Sequence, residues 1–595
     1  MNEIKFLLKY VRKNKVKMIL SLFCAMIFVS ALCLIPLFCG KTVDQIDKVL
    51  KLEFASLNDS QFYFYLIGLF ILIILSVSFQ FIFDYLVNVS VEKLSKELKD
   101  DIFDKLNRLP ISYIDTHSHG NLVSLVLNDT ENVNNALVSS FKQLYQGSIQ
   151  VILTLIVMFS LNWMLALVVT FLTPLSFFVS FTIAKGNSKY FKQQAKIVGE
   201  LSGIAMETFN NIDIIKSFNY EEKSFDGYKE LNDELYECGQ KAQFMSGLIN
   251  PFTRLINYTV YATVGIIAAV LSVLSTSTDN ILYGASCTVG TIITFVQYSN
   301  QFAKPFNEIS SCFSEIQSGL SSLSRIYKLF LEKDDIDEGK LECSSEIETI
   351  SFNHLYFSYT QNQKLIEDFS LKLGKNMKIA IVGPTGCGKT TIINLLLRFY
   401  DPKSGSIDIN NIPLVNFSKK SLRNNFIMVL QDTWIFNGTV KENITYGNPT
   451  ASMDEIIEAT KKANCYDFIM RLPKGFDTKI NDTSGLSVGQ KQLISIARVM
   501  LKYSPIVILD EATSNIDTRT EAKISEAFNL MMKGRTSFVI AHRLSTIINS
   551  DVIIVMKNGH IVETGRHEEL LKRHGFYYEL YNAQYANIWS FLQKY

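Results

Sequence analysis

The sequence is short of charge. Only 19% of its 595 residues are Asp, Glu, Lys or Arg, whereas an average soluble protein has roughly 25%. The 58 basic and 57 acidic residues nearly cancel, so no basic excess is available to neutralise nucleic-acid phosphates, and no nucleic-acid partner is expected. The nine cysteines never form a Cys-x-x-Cys pair, which excludes a disulfide framework or the usual zinc motifs and is typical of reduced thiols. The 48% hydrophobic content excludes a disordered chain.

The hydrophobic residues are concentrated in long uncharged runs before residue 310. The longest run, 143–184, has 42 residues and is long enough for two membrane spans joined by a turn at Asn162. A helix needs about 20 apolar residues to cross the hydrocarbon core, and a soluble protein with six such helices would have little left to cover them. The sequence therefore predicts a transmembrane domain over 18–310 with six spans, at about 18–40, 62–86, 143–162, 163–185, 250–278 and 280–304.

Positive charge is distributed unevenly over the segments that join these runs. Residues 1–17, 84–142 and 185–254 hold six, six and nine Lys and Arg, whereas the segments expected on the opposite side hold three, all within 41–61. Because basic residues are retained on the cytoplasmic side, both termini are predicted to be cytoplasmic, in a protein of the plasma membrane.

Residues 1–17 have the pattern of an amphipathic helix. Four apolar residues share one helical face: Ile4, Leu7, Leu8 and Val11. The opposite face is basic, which predicts a helix on the inner membrane surface, with an ordinary charged flank as the alternative.

The pattern of the chain changes near residue 346. Before it, the two long inner segments look helical, so the spans are predicted to continue as helices into the cytoplasm. After it, short β-branched runs alternate with helical stretches, which indicates an α/β domain. We therefore expect a linker over 311–345, the α/β domain over 346–580 and a tail over 581–595.

Phosphate-binding residues stand near the start of this domain. After the apolar run 378–382 come, in order, Gly383, Pro384, Thr385, Gly386, Cys387, Gly388, Lys389, Thr390 and Thr391. This is the P-loop pattern between a strand and a helix, in which backbone N–H groups surround the phosphates. Lys389 is predicted to reach the β- and γ-phosphates of ATP, and Thr390 to bind Mg²⁺. Cys387 is expected to be a tolerated small residue, with a redox switch as the alternative.

A second apolar run, 506–509, ends in two carboxylates, Asp510 and Glu511. An acidic strand end is a weak signal by itself, but together with a P-loop it predicts a hydrolytic site. Asp510 would hold Mg²⁺ through water, and Glu511 would polarise the attacking water. The predicted fold class is a multi-domain membrane protein: a six-helix all-α transmembrane domain with long cytoplasmic helical extensions, followed by an α/β P-loop nucleotide-binding domain.

With these residues in place, the chain resembles the ATP-binding cassette (ABC) transporters. Five further segments match that family in the expected order: Phe357-Ser-Tyr359, Val429-Leu-Gln431-Asp432, Leu486-Ser487-Val488-Gly489-Gln490, Ser514-Asn-Ile-Asp517 and Ala541-His542-Arg. Six spans before one nucleotide-binding domain are similar to the half-transporters of the multidrug and lipid exporter type. Residues 110–128 resemble the first inner loop of that type, which carries a coupling helix.

The resemblance implies a role for each motif. Tyr359 would stack on adenine, His542 would contact the γ-phosphate, and Gln431 would contact both Mg²⁺ and the membrane-domain helices. Three signature residues would contact the nucleotide of a partner subunit: Ser487, Gly489 and Gln490. The predicted catalytic residues are thus Glu511, His542, Lys389 and Gln431, and the predicted Mg²⁺ ligands are Thr390, Gln431 and Asp510.

The signature departs from the family pattern. Val488 stands where the family has Gly, and the stretch 480–485 lacks the acidic pattern usual there. A branched Val cannot readily take the positive φ that Gly permits, so we expect a weakened signature beside a complete hydrolytic half-site. That asymmetry resembles heterodimeric exporters, and a heterodimer with a second ABC half-transporter is favoured over a homodimer.

The predicted function is ATP-driven export by alternating access, as one half of a dimeric transporter in a lipid bilayer. The substrate is expected to be amphipathic or hydrophobic: a drug, a lipid or a small peptide. Three alternatives remain: a non-catalytic regulatory subunit, an importer built on the exporter fold and, more remotely, an ATP-gated channel. Intact Glu511 and His542 argue against the first.

Overall fold

The structure is a computed structural model, and it describes residues 2–51, 60–275, 288–360, 363–430, 433–481, 485–510, 517–540 and 547–583. The chain separates into two compact units. The first comprises Met1–Leu109 and His117–Lys333, and the second comprises Pro110–Thr116 and Asp334–Tyr595.

The first unit is built of helices. In chain order the helices are α1 (Asn2–Lys13), α2 (Lys15–Lys51), α3 (Ser60–Arg108), α4 (Ile111–Thr116, part of the second unit), α5 (His119–Ser124), α6 (Thr130–Ser139), α7 (Gln146–Leu161), α8 (Trp163–Leu172), α9 (Pro174–Asn210), α10 (Ile212–Ser217), α11 (Glu221–Gly247), α12 (Ile249–Ser275) and α13 (Val289–Leu331). Two π-helical turns, Leu125–Asp129 and Ser140–Tyr145, join α5, α6 and α7 into one continuous helical stretch.

Five helical stretches of the described residues are long and apolar enough to cross a membrane: Lys15–Lys48, Ser60–Arg108, His119–Leu161, Trp163–Asn210 and Glu221–Leu271. They contain most of the first five predicted spans. The sixth span, 280–304, begins outside the described residues, and its remainder lies in α13. That helix continues to Leu331, so residues 311–331 of the predicted linker are helical. The 49 residues of α3 measure about 74 Å at 1.5 Å per residue, against a hydrocarbon core of about 30 Å, as expected for helices that extend beyond the membrane.

The N-terminal helix packs on the protein through residues other than those predicted to face the membrane. Tyr10 is buried and its hydroxyl donates to Asp101 of α3 at 2.7 Å, and the Phe6 ring lies 5.0 Å from that of Phe330 in α13. Ile4 and Leu8, from the predicted membrane-facing side, are exposed. Its position on the membrane surface stays a prediction.

Two prolines inside helices are matched by glutamines from neighbouring helices. Pro36 in α2 has no N–H to donate to the carbonyl of Leu32, and the side-chain amide of Gln301 donates to that carbonyl at 3.1 Å. Pro305 in α13 frees the carbonyl of Gln301 in the same way, and Gln150 of α7 donates to it at 2.9 Å. Because carbonyls at membrane depth must be satisfied within the protein, these bonds hold α2, α7 and α13 together.

The second unit mixes strands with short helices. Its described strands are β1 (Thr349–Phe357), β2 (Ile366–Gly374), β3 (Lys378–Val382), β4 (Ser404–Ile409), β5 (Ile412–Pro413), β6 (Phe426–Val429), β7 (Gly438–Thr439), β8 (Lys479–Ile480), β9 (Ile506–Asp510), β10 (Thr536–Ile540), β11 (Val552–Lys557) and β12 (His560–Gly565). Its helices, besides α4, are α14 (Lys389–Leu396), α15 (Lys419–Asn424), α16 (Val440–Thr445), α17 (Met453–Lys462), α18 (Tyr466–Met470), α19 (Val488–Met500), α20 (Thr518–Met532), α21 (His567–Lys572) and α22 (Phe576–Tyr581).

One six-stranded sheet positions the functional residues. Its order is β12-β11-β3-β10-β9-β6, parallel except for β12. Ile540 of β10 pairs with Ile381 on one side and Asp510 on the other, so the carboxyl ends of three neighbouring strands lie at one edge, where ligands bind in such sheets. The faces of β3 alternate between two cores, with Ile381 packed on the α14 side and Ala380 on the α19 side. A helical transmembrane domain followed by an α/β nucleotide-binding domain confirms the predicted fold class.

Candidate nucleotide-binding site

The P-loop follows β3 and opens α14. Gly388, the residue before the helix, has a φ of 100°, and a Cβ there would lie 2.5 Å from Cδ1 of Ile366, so only glycine fits. Lys389 is only 8% exposed. Its ammonium donates to the carbonyls of Gly383 at 2.9 Å and Pro384 at 3.1 Å. The loop therefore curves around the lysine nitrogen, which places a positive charge beside the first N–H groups of the helix.

Tyr359 lies beside this loop and is fixed at both ends. Its hydroxyl is 3.3 Å from Oγ1 of Thr391 and accepts from the side-chain amide of Asn394 at 3.3 Å. Its ring packs edge-on against Phe357 and Tyr400, each with a centroid separation of 5.0 Å. Tyr359 is 44% exposed and lines the cleft, so an aromatic base can stack on its ring.

A cleft of about 570 Å³ brings together eight of the predicted site residues. That size is within the range of about 300–1,000 Å³ usual for small-molecule sites. It is lined by Tyr359, Gln363, Leu365, Thr385, Gly386, Gly388, Lys389, Thr390, Thr391, Asp510 and Ile540. The structure thus brings an aromatic ring, a lysine, a hydroxyl and a carboxylate into one cleft of the second unit.

The donor set of this cleft fits Mg²⁺. Thr390 is the second residue of α14 and Asp510 is the last residue of β9, and both line the cleft. Hard oxygen ligands of this type are those that Mg²⁺ takes together with phosphate oxygens and water.

Cys387 has the character of a packing residue. It is 4% exposed, and burial raises the pKa of its thiol even though Lys389 lies nearby. A buried thiol with a raised pKa is poorly reactive, because the thiolate is the reactive form. This favours the interpretation of Cys387 as a tolerated small residue.

The signature residues form the start of α19 and do not line this cleft. The Ser487 hydroxyl accepts from the N–H of Gln490 at 3.2 Å, and the Gln490 side chain accepts from the N–H of Ser487 at 3.0 Å, which is a capping box. Gly489 is buried within the first turn.

The conformational argument about Val488 is wrong. Val488 is the first residue of α19, and its φ is not positive. No glycine-only backbone is required here, so a branched residue carries no strain. What distinguishes Val488 is its side chain, which is 54% exposed at the helix end.

Three predicted catalytic residues, Gln431, Glu511 and His542, lie outside the described residues. In the sequence, Gln431 and Glu511 directly follow the described residues Leu430 and Asp510, and His542 comes two residues after Ile540, the last residue of β10. Asp517, at the end of the Ser514-Asn-Ile-Asp517 motif, is described and caps α20 by accepting from the N–H of Thr520 at 3.0 Å, a bond that lowers its pKa.

Sequence reasoning missed three residues that line the cleft and one that packs behind Tyr359. Gln363, Leu365 and Ile540 line the cleft, and Tyr400 supports Tyr359 from behind. For Ile540 a signal existed, since it ends the strand before the Ala541-His542 motif. The pairing of Tyr400 with Tyr359 depends on tertiary structure, and no pattern in the sequence indicates it.

Comparisons with known proteins show the family of this chain. The ABC transporter transmembrane region matches residues 18–306, and the ABC transporter domain matches residues 366–514. A fatty acid ABC transporter ATP-binding/permease protein of Mycobacterium bovis is 39% identical over 499 residues, covering 84% of this chain and 78% of that protein. The chain belongs to the ABC transporter family.

Further relatives indicate the exporter type. A Staphylococcus aureus protein, provisionally named a multidrug export ATP-binding/permease protein, is 33% identical over 523 residues, covering 87% of this chain and 89% of that protein. A solved structure of a bacterial Atm1-family ABC exporter with ATP bound superposes with a TM-score of 0.77 at 26% identity, covering 97% of this chain and 98% of that one. The chain is an ATP-hydrolysing ABC transporter of the exporter type, a class that acts as dimers in membranes.

Proposed function

We propose that this chain exports an amphipathic or hydrophobic substrate across the plasma membrane, as one half of a heterodimeric ABC exporter with both termini in the cytoplasm. The observation that carries the proposal is the cleft in which Tyr359, Lys389, Thr390 and Asp510 meet, in a chain that also has membrane-length helices. The names of two relatives, a fatty acid ABC transporter and a provisionally named multidrug export protein, agree with a substrate of this character.

The predicted site residues have different roles in the binding and hydrolysis of ATP. Tyr359 stacks on the adenine, while Lys389 and the loop N–H groups hold the phosphates. Thr390 and Asp510, with Gln431, hold Mg²⁺, which when bound neutralises charge on the β- and γ-phosphates. Glu511 polarises the attacking water, and His542 contacts the γ-phosphate.

The partner completes the site. Ser487, Gly489 and Gln490 stand at the start of α19, outside the cleft of their own chain, as expected of residues that serve the nucleotide of a partner subunit. Val488 adds an exposed, branched side chain at this point. We therefore propose that the site this signature completes turns over slowly, and that the partner supplies an ordinary signature to the intact Lys389 site.

Transport in inverted membrane vesicles tests the proposal. With a fluorescent long-chain fatty acid and, separately, a lipophilic cationic dye as probes, we expect ATP-dependent accumulation of at least one inside the vesicles. The Lys389→Ala variant should lose ATP turnover by about 100-fold or more, because it removes a charge that stabilises the transition state. Lys375→Ala, at an exposed lysine before β3, is the matched control.

Each rival function gives a different result. Uptake confined to right-side-out vesicles would indicate an importer, and ATP-dependent leakage without accumulation would indicate a channel. Transport that survives Lys389→Ala would indicate that this chain is a regulatory subunit.

A further inference from the structure

Three aromatic rings support one another behind the cleft. The Tyr359 ring meets those of Phe357 and Tyr400 at interplanar angles of 86° and 84°, and Phe357 and Tyr400 meet at a centroid separation of 5.7 Å. Separations of 5.0 Å are near the short end of the range for favourable edge-to-face pairs. The Tyr359 ring therefore cannot tilt or shift without displacing the Tyr400 ring.

Tyr400 is bound at its other end to a segment far away in the sequence. Its hydroxyl donates to Oδ2 of Asp115 at 2.5 Å, a short charge-assisted hydrogen bond. Burial, followed by the Asp115 carboxylate, raises the pKa of Tyr400, so the phenol stays protonated and remains a donor. Asp115 belongs to α4, in the segment Pro110–Thr116 that forms part of the second unit.

The chain enters and leaves this segment from the helical first unit. Leu109 precedes it and His117 follows it, and both belong to the first unit. Pro110–Thr116 is hence a short piece of chain that packs with the nucleotide-binding unit while it is covalently continuous with membrane-length helices on both sides. The hydrogen bond from Tyr400 to Asp115 connects this segment with the ring that supports Tyr359, and it would thereby link base binding with the helices.

We propose that Tyr400 is a positioning residue that holds Tyr359 ready for the adenine ring and, through Asp115, reports the presence of the base to the segment Pro110–Thr116. The proposal rests on the proposed role of Tyr359 in binding ATP. Tyr400 lies outside the lining of the cleft, so it acts through Tyr359 and does not need to touch the nucleotide.

Nucleotide affinity tests the positioning role. The full chain in lipid nanodiscs, with its partner subunit where one is required, is titrated with ATP in the absence of Mg²⁺ so that no turnover occurs. Tyr400→Leu should raise the Kd for ATP by about 2- to 10-fold, because Tyr359 loses one of its two ring contacts. Tyr400→Phe retains the ring and should restore most of the affinity. Tyr356→Leu is the matched control, since Tyr356 is a 41%-exposed tyrosine of β1, the strand that also contains Phe357.

Hydrogen–deuterium exchange tests the link to the helical segment. In the wild-type chain, ATP should slow exchange of the amides of residues 111–116 more than inorganic tripolyphosphate does, because only ATP carries a base. Tyr400→Phe and Asp115→Ala should each lose this difference, and the double variant should lose no more than either single variant. This measurement does not depend on Tyr400→Leu folding correctly.

The outcomes separate the two proposals. If Tyr359→Leu leaves the Kd for ATP unchanged, the proposed adenine contact is wrong and the role of Tyr400 falls with it. If Tyr359→Leu weakens ATP binding but Tyr400→Leu does not, Tyr400 is not a positioning residue. Equal protection by ATP and tripolyphosphate, or protection that persists in Tyr400→Phe, would overturn the link through Asp115.

Discussion

A side chain at the end of a helix can weaken a nucleotide site without disturbing its own backbone, and Val488 is placed to do so. It occupies the first turn of α19 with an ordinary helical backbone, next to the capping box formed by Ser487 and Gln490. About half of the side chain is exposed. Any effect of Val488 on a partner's nucleotide therefore comes from the volume that it adds at this surface.

Replacing Val488 tests this account. In the assembled transporter, Val488→Ala should raise ATP turnover by up to about twofold, because a second site becomes active. Val488→Gly should give the same gain but lower the free energy of unfolding by about 0.5–1 kcal/mol, since glycine is less favourable in a helix. Turnover is measured as phosphate release, and stability by thermal unfolding. Unchanged turnover in both variants would mean that Val488 is not the cause of the asymmetry.

At the scale of elements, the prolines of α2 and α13 and their glutamine partners connect α2, α7 and α13 through hydrogen bonds. Each proline leaves a carbonyl without its helical donor, and a glutamine on another helix supplies the missing hydrogen bond. The Tyr298 hydroxyl adds a bond to the carbonyl of Cys33, one residue after Leu32, at 2.6 Å. The two proline sites are thereby linked through Gln301, whose side chain donates to the carbonyl freed by Pro36 and whose own carbonyl is the one freed by Pro305.

Removing the Gln301 side chain should destabilise the helical unit. Gln301→Leu leaves the carbonyl of Leu32 unsatisfied at membrane depth, at a cost of about 1–2 kcal/mol in the free energy of unfolding. In a Pro36→Ala background the cost should be smaller, because Ala provides the N–H that proline lacks. Unfolding in mixed micelles measures both, with Gln80→Leu at an exposed glutamine of α3 as the control. An equal cost in both backgrounds would show that Gln301 does not serve this carbonyl.

The same elements show what the sequence can and cannot predict. The P-loop was predictable because a strand, a glycine-rich loop and a helix are contiguous, and Asp510 because it ends a buried strand. A freed carbonyl at Leu32 could be predicted from Pro36, but not its donor, which lies 269 residues further along the chain. The end of α13 at Leu331 was not predicted, since hydropathy marks where a span leaves the membrane and not where its helix ends.

At the scale of the whole molecule, the chain carries one complete set of nucleotide residues and one signature that its own cleft does not use. The cleft contains Lys389, Thr390 and Asp510, while Ser487 stands elsewhere in the second unit. With the proposed roles of these residues, a second nucleotide-binding domain would complete each site, and ABC exporters act as dimers. If the second subunit is the same chain, Val488 is present at both sites; if it is a different chain, Val488 affects only one of them.

The native mass of the Glu511→Gln variant, expressed alone and measured in detergent with Mg²⁺-ATP, tests this most directly. Blocking hydrolysis should retain ATP in the closed dimer, because the residue that polarises water is gone. The account predicts a monomer when the chain is expressed alone and a stable dimer only when a second ABC half-transporter is coexpressed. A stable species of two identical chains that retains ATP would contradict the heterodimer and show that Val488 is tolerated at the interface.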